Sequence, residues 1–260
     1  MAKWRLVVKT LPWVVIVLGV MYVREYVLGI RSVVDFGDIG AVLTAAALII
    51  GFMLGGVFSD YKESEKLPGD LATTLETIDD MIAAGSRAGK PFDAREFRRR
   101  YHAVVVVITD WFMNRGALVG SFQALHTMND LIADLERAGM GAVYVSRCLS
   151  EQHNLRKIVT RIDVIRRTQF IQTGYALLQM FVLATLVLLV FANFKNWQLQ
   201  FLVVGTMALI YLYLLRLIQD LDNPFEYADG YVEGATADVS PHPVLEFRER
   251  LEVNLAAEAQ

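Results

Sequence analysis

Four histidines, one cysteine and a few clustered charges are the residues through which this chain could do chemistry. His102, His126, His153 and His242 stand apart. None belongs to a His-Glu-x-x-His motif or an i, i+4 pair with another ligand, the spacing that sets two metal donors on one helix face. Cys148 has no second cysteine and no Cys-x-x-Cys partner, so it reads as a free buried thiol rather than a redox centre. Gly51-Met53-Gly55 lies inside an apolar run where no phosphate could bind, and no Walker loop or Gly-x-Gly-x-x-Gly is present. Lys62, Glu63, Glu65 and Lys66 read as a solvated helix end, and Arg98-Arg99-Arg100 as a basic run facing solvent or lipid headgroups. These residue types are not arranged as nucleophile, base or metal shell. The chain reads as a protein that is not an enzyme and needs no cofactor or metal.

The elements around these residues explain why. Residues 39–58 are twenty positions without one charge. At about 1.5 Å per residue they make a helix of roughly 30 Å, the thickness of a bilayer's hydrocarbon core. Further apolar stretches put the spans at about 10–30, 39–58, 173–193 and 197–216. The first could pass for a signal peptide, but no small-x-small cleavage site follows it and it reads as uncleaved. Arg24 and Glu25 sit near its far end, where either a side chain snorkels to the headgroups or one charge faces a water-filled vestibule. A mean hydropathy of +0.39 with 55% hydrophobic residues fits a membrane protein carrying a sizeable water-exposed part. The net charge of −3 argues against nucleic acid as a partner. Gln179 is the one strongly polar side chain well inside span 3, and spans 2 to 4 lack a midplane charge, which speaks against an ion-coupled transporter.

Sidedness follows from the basic residues. Sixteen Lys/Arg lie between Lys62 and Arg167, and Lys3, Arg5 and Lys9 precede span 1. The short connections carry only Arg31 and Lys195. The positive-inside rule places both termini and the long insert in the cytoplasm, for a multi-pass protein of a bacterial inner membrane. The organisation is therefore 1–58, spans 1 and 2; 59–172, a cytoplasmic helical insert; 173–217, spans 3 and 4; and 218–260, an acidic cytoplasmic tail. Within the insert, Leu71, Leu75, Ile78 and Ile82 recur at helical spacing after a break at Pro68-Gly69. Lys90-Pro91-Phe92-Asp93 predicts a turn with Asp93 capping the next helix. Residues 121–138 predict a helix closed by Gly139, and a last helix runs from about 142 into span 3. Strands are not expected, and a short amphipathic helix over 244–255 ends the tail.

Two segments together resemble the bestrophin channels and the bacterial bestrophin-like membrane proteins. Span 2 runs through Ile50-Gly51-Phe52 to Asp60-Tyr61-Lys62-Glu63, and span 4 into Asn223-Pro224-Phe225 followed by acidic residues including Asp229. The layout of two spans, a helical insert and two spans is similar to theirs. Glu226 stands where a glycine usually follows Pro-Phe. The resemblance implies an all-α membrane homopentamer, a channel for inorganic ions set in membrane lipid, with span 2 lining a central pore. Its constriction falls on Thr44, Leu48 and Phe52, which share one helix face at i, i+4 and i+8. Gly51 and Gly55 form a Gly-x-x-x-Gly pair read as helix-packing positions. Pro224, Phe225 and Asp229 form an element expected to fold the tail onto the insert. The alternative function is a non-conducting membrane scaffold or sensor, whose cytoplasmic helices bind a partner.

Overall fold

The computed structural model describes residues 4–30, 32, 34–88, 92–167, 172–227 and 237–258. The Lys90-Pro91 turn and Asp229 lie outside the described residues. The chain folds into two compact units. The first draws on residues 1–61, 168–224 and 232–238, the second on 62–167, 225–231 and 239–260.

The first unit is built from α1 (Arg5–Tyr22), α2 (Gly40–Ser64, all but its last turn), α7 (Gln172–Phe191) and α8 (Trp197–Leu221). Each is long and apolar enough to cross a membrane. Helix α1 begins five residues before the expected span and passes into a π-helical turn, Val23–Val27, that ends at Gly29 with φ +59°. Helix α1 packs on α8 and α7, and α7 on α8. Their shared core holds Val14 of α1, Ala46, Ile50, Met53 and Val57 of α2, Leu178 and Val182 of α7, and Ala208 and Tyr211 of α8. The buried Tyr211 hydroxyl donates to the Leu43 carbonyl at 3.2 Å, satisfying a polar group that hydrocarbon would leave unpaired. Asn196 caps α8 by accepting from the Leu199 N–H at 2.9 Å.

A two-residue parallel bridge was not legible in the sequence. Val34–Asp35 (β1) pairs with Ala192–Asn193 (β2), and Asn193 Nδ2 donates to Asp35 Oδ1 at 3.2 Å. It ties the α1–α2 and α7–α8 connections together at one end of the unit.

The second unit is a helical bundle of α3 (Leu67–Ala88), α4 (Ala94–Phe112), α5 (Leu118–Arg137), α6 (Ala142–Arg167) and α9 (His242–Ala257). The expected stripe Leu71, Leu75, Ile78 and Ile82 is its innermost row. The break before it falls at Glu65-Lys66 rather than at Pro68-Gly69. Pro68 occupies the first turn of α3, where its missing N–H costs nothing. Asp93 caps α4, its Oδ1 accepting from the Arg95 and Glu96 N–H groups at 3.0 and 3.2 Å. Gly139, at φ +101°, stands just past α5 in the left-handed conformation that glycine adopts without steric cost. Helix α9 lays Val244, Phe247 and Leu251 onto the α3 and α4 side.

Candidate pore-lining face and Pro-Phe element

Helix α2 has two faces of different fate. Ala46, Ile50, Met53 and Val57, at helical spacing, are buried against α1, α7 and α8. The opposite face carries Thr44, Leu48 and Phe52, all exposed, Leu48 at 59% and Phe52 at 75%. Ile49 and Leu54 lie between and pack against the core cluster. The Thr44 hydroxyl donates to the Gly40 carbonyl at 2.9 Å, so its donor is spent within the helix. Ala47, Gly51 and Gly55 share the exposed face. A Cβ added at Gly51 or Gly55 meets nothing within 4 Å, so close packing inside this chain does not demand either glycine. The face is thus apolar, partly small, and without a neighbour among the described residues.

The Pro-Phe element lies where α8 ends. Phe225 is 1% exposed. Its ring meets Phe112 edge-on at 6.1 Å and Tyr227 at 6.5 Å, and the Arg166 guanidinium lies 5.8 Å from its centre. Its carbonyl accepts from Asn114 Nδ2 at 2.9 Å. Asn114, just past α4, holds φ +59°, a conformation asparagine tolerates better than most residues. Arg166 stacks 5.0 Å from the Trp111 ring and donates to the Trp111 and Phe112 carbonyls, a cation at the negative end of the α4 dipole. Burial pushes Arg166 down to about 10. Tyr227 donates to the Val239 carbonyl at 2.9 Å, closing the loop toward α9. The sequence pointed to Pro224 and Phe225 but not to Asn114, Arg166 or Tyr227. Only the position of Asn114 just past a helix end carried a local signal.

Two charged features depart from their expected roles, and a third, the Lys62–Lys66 helix end, is solvent-exposed as expected while gaining a partner. Arg24 does not snorkel: its side chain is 2% exposed, pairs with Glu25, lies 3.4 Å from Ser32 Oγ and sits 5.7 Å from the Phe191 ring centre. It lies within the π turn, and among the described residues its Nε has no hydrogen-bond partner. The basic run is not uniformly solvated. Arg98 is buried and bidentate to Asp79, both contacts 2.7 Å, and also reaches Glu258. Arg100 pairs with Asp134 at 2.8 Å and Arg99 with Glu96 at 3.3 Å, both from exposed positions. Glu63 is held by Arg161 through two hydrogen bonds of 2.8 and 2.6 Å, which lower its carboxyl below the ordinary range. Cys148 is buried, and desolvation raises its thiol to about 11, which suits packing rather than reactivity. Among the described residues no group of three His, Cys, Asp or Glu could hold a metal ion.

No family model and no curated protein matches this sequence. Solved structures do. The chain is similar to a crystal structure of a mutated bacterial bestrophin homolog from Klebsiella pneumoniae, at TM-score 0.73 and 14% identity, over 96% of this chain and 98% of that one. A second mutated form of that homolog matches at TM-score 0.71 and 17% identity, over 99% and 98%. A crystal structure described simply as a membrane protein matches at TM-score 0.72 and 15% identity, over 96% and 97%. At such identities the likeness establishes the fold. This chain has the fold of a bacterial bestrophin homolog and is a multi-pass membrane protein.

Proposed function

We propose that this chain is one subunit of a bestrophin-like oligomeric ion channel, a homopentamer of the bacterial inner membrane with both termini cytoplasmic. Its neck is formed by Thr44, Leu48 and Phe52 of α2. The observation that carries the reading is the two-faced burial of α2: the face opposite the core, with the expected neck residues, is apolar and exposed, with no neighbour among the described residues. The full-length likeness to bestrophin homologs supports it.

In such an assembly each subunit contributes one Leu48 and one Phe52 to a ring around the axis. A ring of apolar side chains opposes ions without any fixed charge, because a narrow dry neck cannot replace the hydration shell an ion must shed. Ala47, Gly51 and Gly55 on the same side let α2 helices of neighbouring copies approach closely. The Pro224-Phe225 element, with Asp229 beyond it, anchors the tail on the second unit's bundle.

The test is ion flux into liposomes holding the purified protein, with its mass measured in detergent. Leu48→Ala/Phe52→Ala widens and wets the neck and raises flux several-fold. Ile49→Ala/Leu54→Ala, on the packed flank, leaves flux near wild type. Background flux for wild type and neck variant alike, in a correctly assembled oligomer, refutes conduction and leaves the scaffold reading.

A further inference from the structure

Arg216 reaches the backbone beside the exposed Lys9 at one end of the membrane-spanning unit, and among the described residues no carboxylate pairs with either side chain. Arg216 of α8 donates from Nη1 to the backbone carbonyl of Lys9 in α1, 207 residues away. The Lys9 side chain is exposed, and Arg216 is half-buried. Neither forms an ion pair among the described residues. Asp220, one turn beyond Arg216, instead accepts from the Ala237 N–H at 3.2 Å. A guanidinium carries five donors. With one donor used on Lys9, the rest of the fork and the neighbouring ammonium call for an anion.

The depth of the pair says what kind of anion. Arg216 lies 19 residues along α8 from Trp197, about 28 Å at 1.5 Å per residue. Lys9 lies 17 residues from Tyr26, about 25 Å by the same rise. Trp197 and Tyr26 are exposed, as aromatics at headgroup level are. One hydrocarbon thickness away, the cations therefore sit at the opposite headgroup level. Below Lys9 on one stripe of α1 run Trp13, Ile16 and Val20, at 53%, 53% and 54% exposure. A charged head and an apolar track aligned on one helix match a two-part ligand.

We infer that Lys9 and Arg216 form a headgroup site for an anionic phospholipid. The phosphate is held between the ammonium and the free edge of the guanidinium, and an acyl chain lies along Trp13, Ile16 and Val20. This goes beyond the channel reading and needs only that the unit be membrane-embedded.

The test is native mass spectrometry of the full-length protein released from nanodiscs of phosphatidylcholine with or without an equal share of phosphatidylglycerol. A Lys or Arg near an anionic surface contributes about fivefold in affinity, so Lys9→Gln lowers phosphatidylglycerol retention about fivefold and Lys9→Gln/Arg216→Gln about thirtyfold. Lys195→Gln, exposed at the other end of the unit, leaves retention unchanged. Lys9→Gln alters one exposed side chain, so that arm stands even if Arg216 variants fail to fold. Unchanged retention in Lys9→Gln overturns the inference, as does equal retention of phosphatidylcholine by the wild type. Inorganic phosphate alone, giving the same rise in melting temperature as phosphatidylglycerol, overturns it in favour of a free-anion site.

Discussion

Replacing Phe225 by alanine removes a ring that is 1% exposed and meets Phe112, Tyr227 and Arg166. Fully buried Phe→Ala changes cost about 3–5 kcal/mol, the transfer loss plus the cavity left behind. The lower end applies. The Asn114 bond to the Phe225 carbonyl survives the change, and the Phe112–Tyr227 pair, 5.3 Å apart, can lean into the space. We expect a loss of about 3 kcal/mol in Phe225→Ala, against about 1 kcal/mol in Phe225→Leu, which keeps most of the apolar volume but no ring. The assay is hydrogen exchange on the full-length protein in detergent, following peptides that contain residues 110–115 and 225–227. A local stability loss of 3 kcal/mol raises exchange roughly a hundredfold where opening is pre-equilibrated. Protection within about threefold of wild type in both peptides would refute the anchoring role and leave Pro224 as a plain helix stop.

Other outcomes follow from the same reasoning. Arg98→Met leaves Asp79 buried without its bidentate partner and should cost about 3 kcal/mol by denaturant titration, whereas Arg98→Met/Asp79→Leu should recover most of that loss. Glu63 titrates below its ordinary value because Arg161 hydrogen-bonds it, so its contribution is whole above the unfolded-state pKa and fades as pH falls through the lower folded one. Both partners are well exposed, so Glu63→Gln should remove less than about 1 kcal/mol of acid-sensitive stability in melts from pH 7 to pH 3, and a larger loss would contradict the exposure. Asp35→Cys should react with an impermeant maleimide from outside intact cells, while Cys148, buried with its thiol raised to about 11, should react only after unfolding. Labelling of Asp35→Cys solely from the cytoplasm would invert the proposed topology.

What could be read from the sequence was local. Residues 39–58 announce a membrane helix because transfer into hydrocarbon depends on the residues themselves, whatever they later touch. Asp93 and Gly139 announce helix ends because a cap bonds within three residues and a left-handed turn needs only a missing Cβ. The stripe from Leu71 to Ile82 declared a buried face by periodicity, without naming what would cover it. Likewise the face of Thr44, Leu48 and Phe52 was legible as a face, while its exposure among the described residues was not.

Tertiary structure alone decided the rest, because charges and aromatics take their roles from distant partners. Arg98 looks solvated in a run of three arginines, until Asp79, 19 residues before, and Glu258, 160 residues after, surround it. Arg24 looks ready to snorkel, until a π turn, Ser32 and Phe191 enclose it. Arg166 acquires its place from α4's terminal carbonyls and from Phe225, and Arg216 from a carbonyl on α1. Hydropathy and capping are sums over neighbours along the chain. The partner of a buried charge is set by which helices pack together, and that is a property of the whole fold.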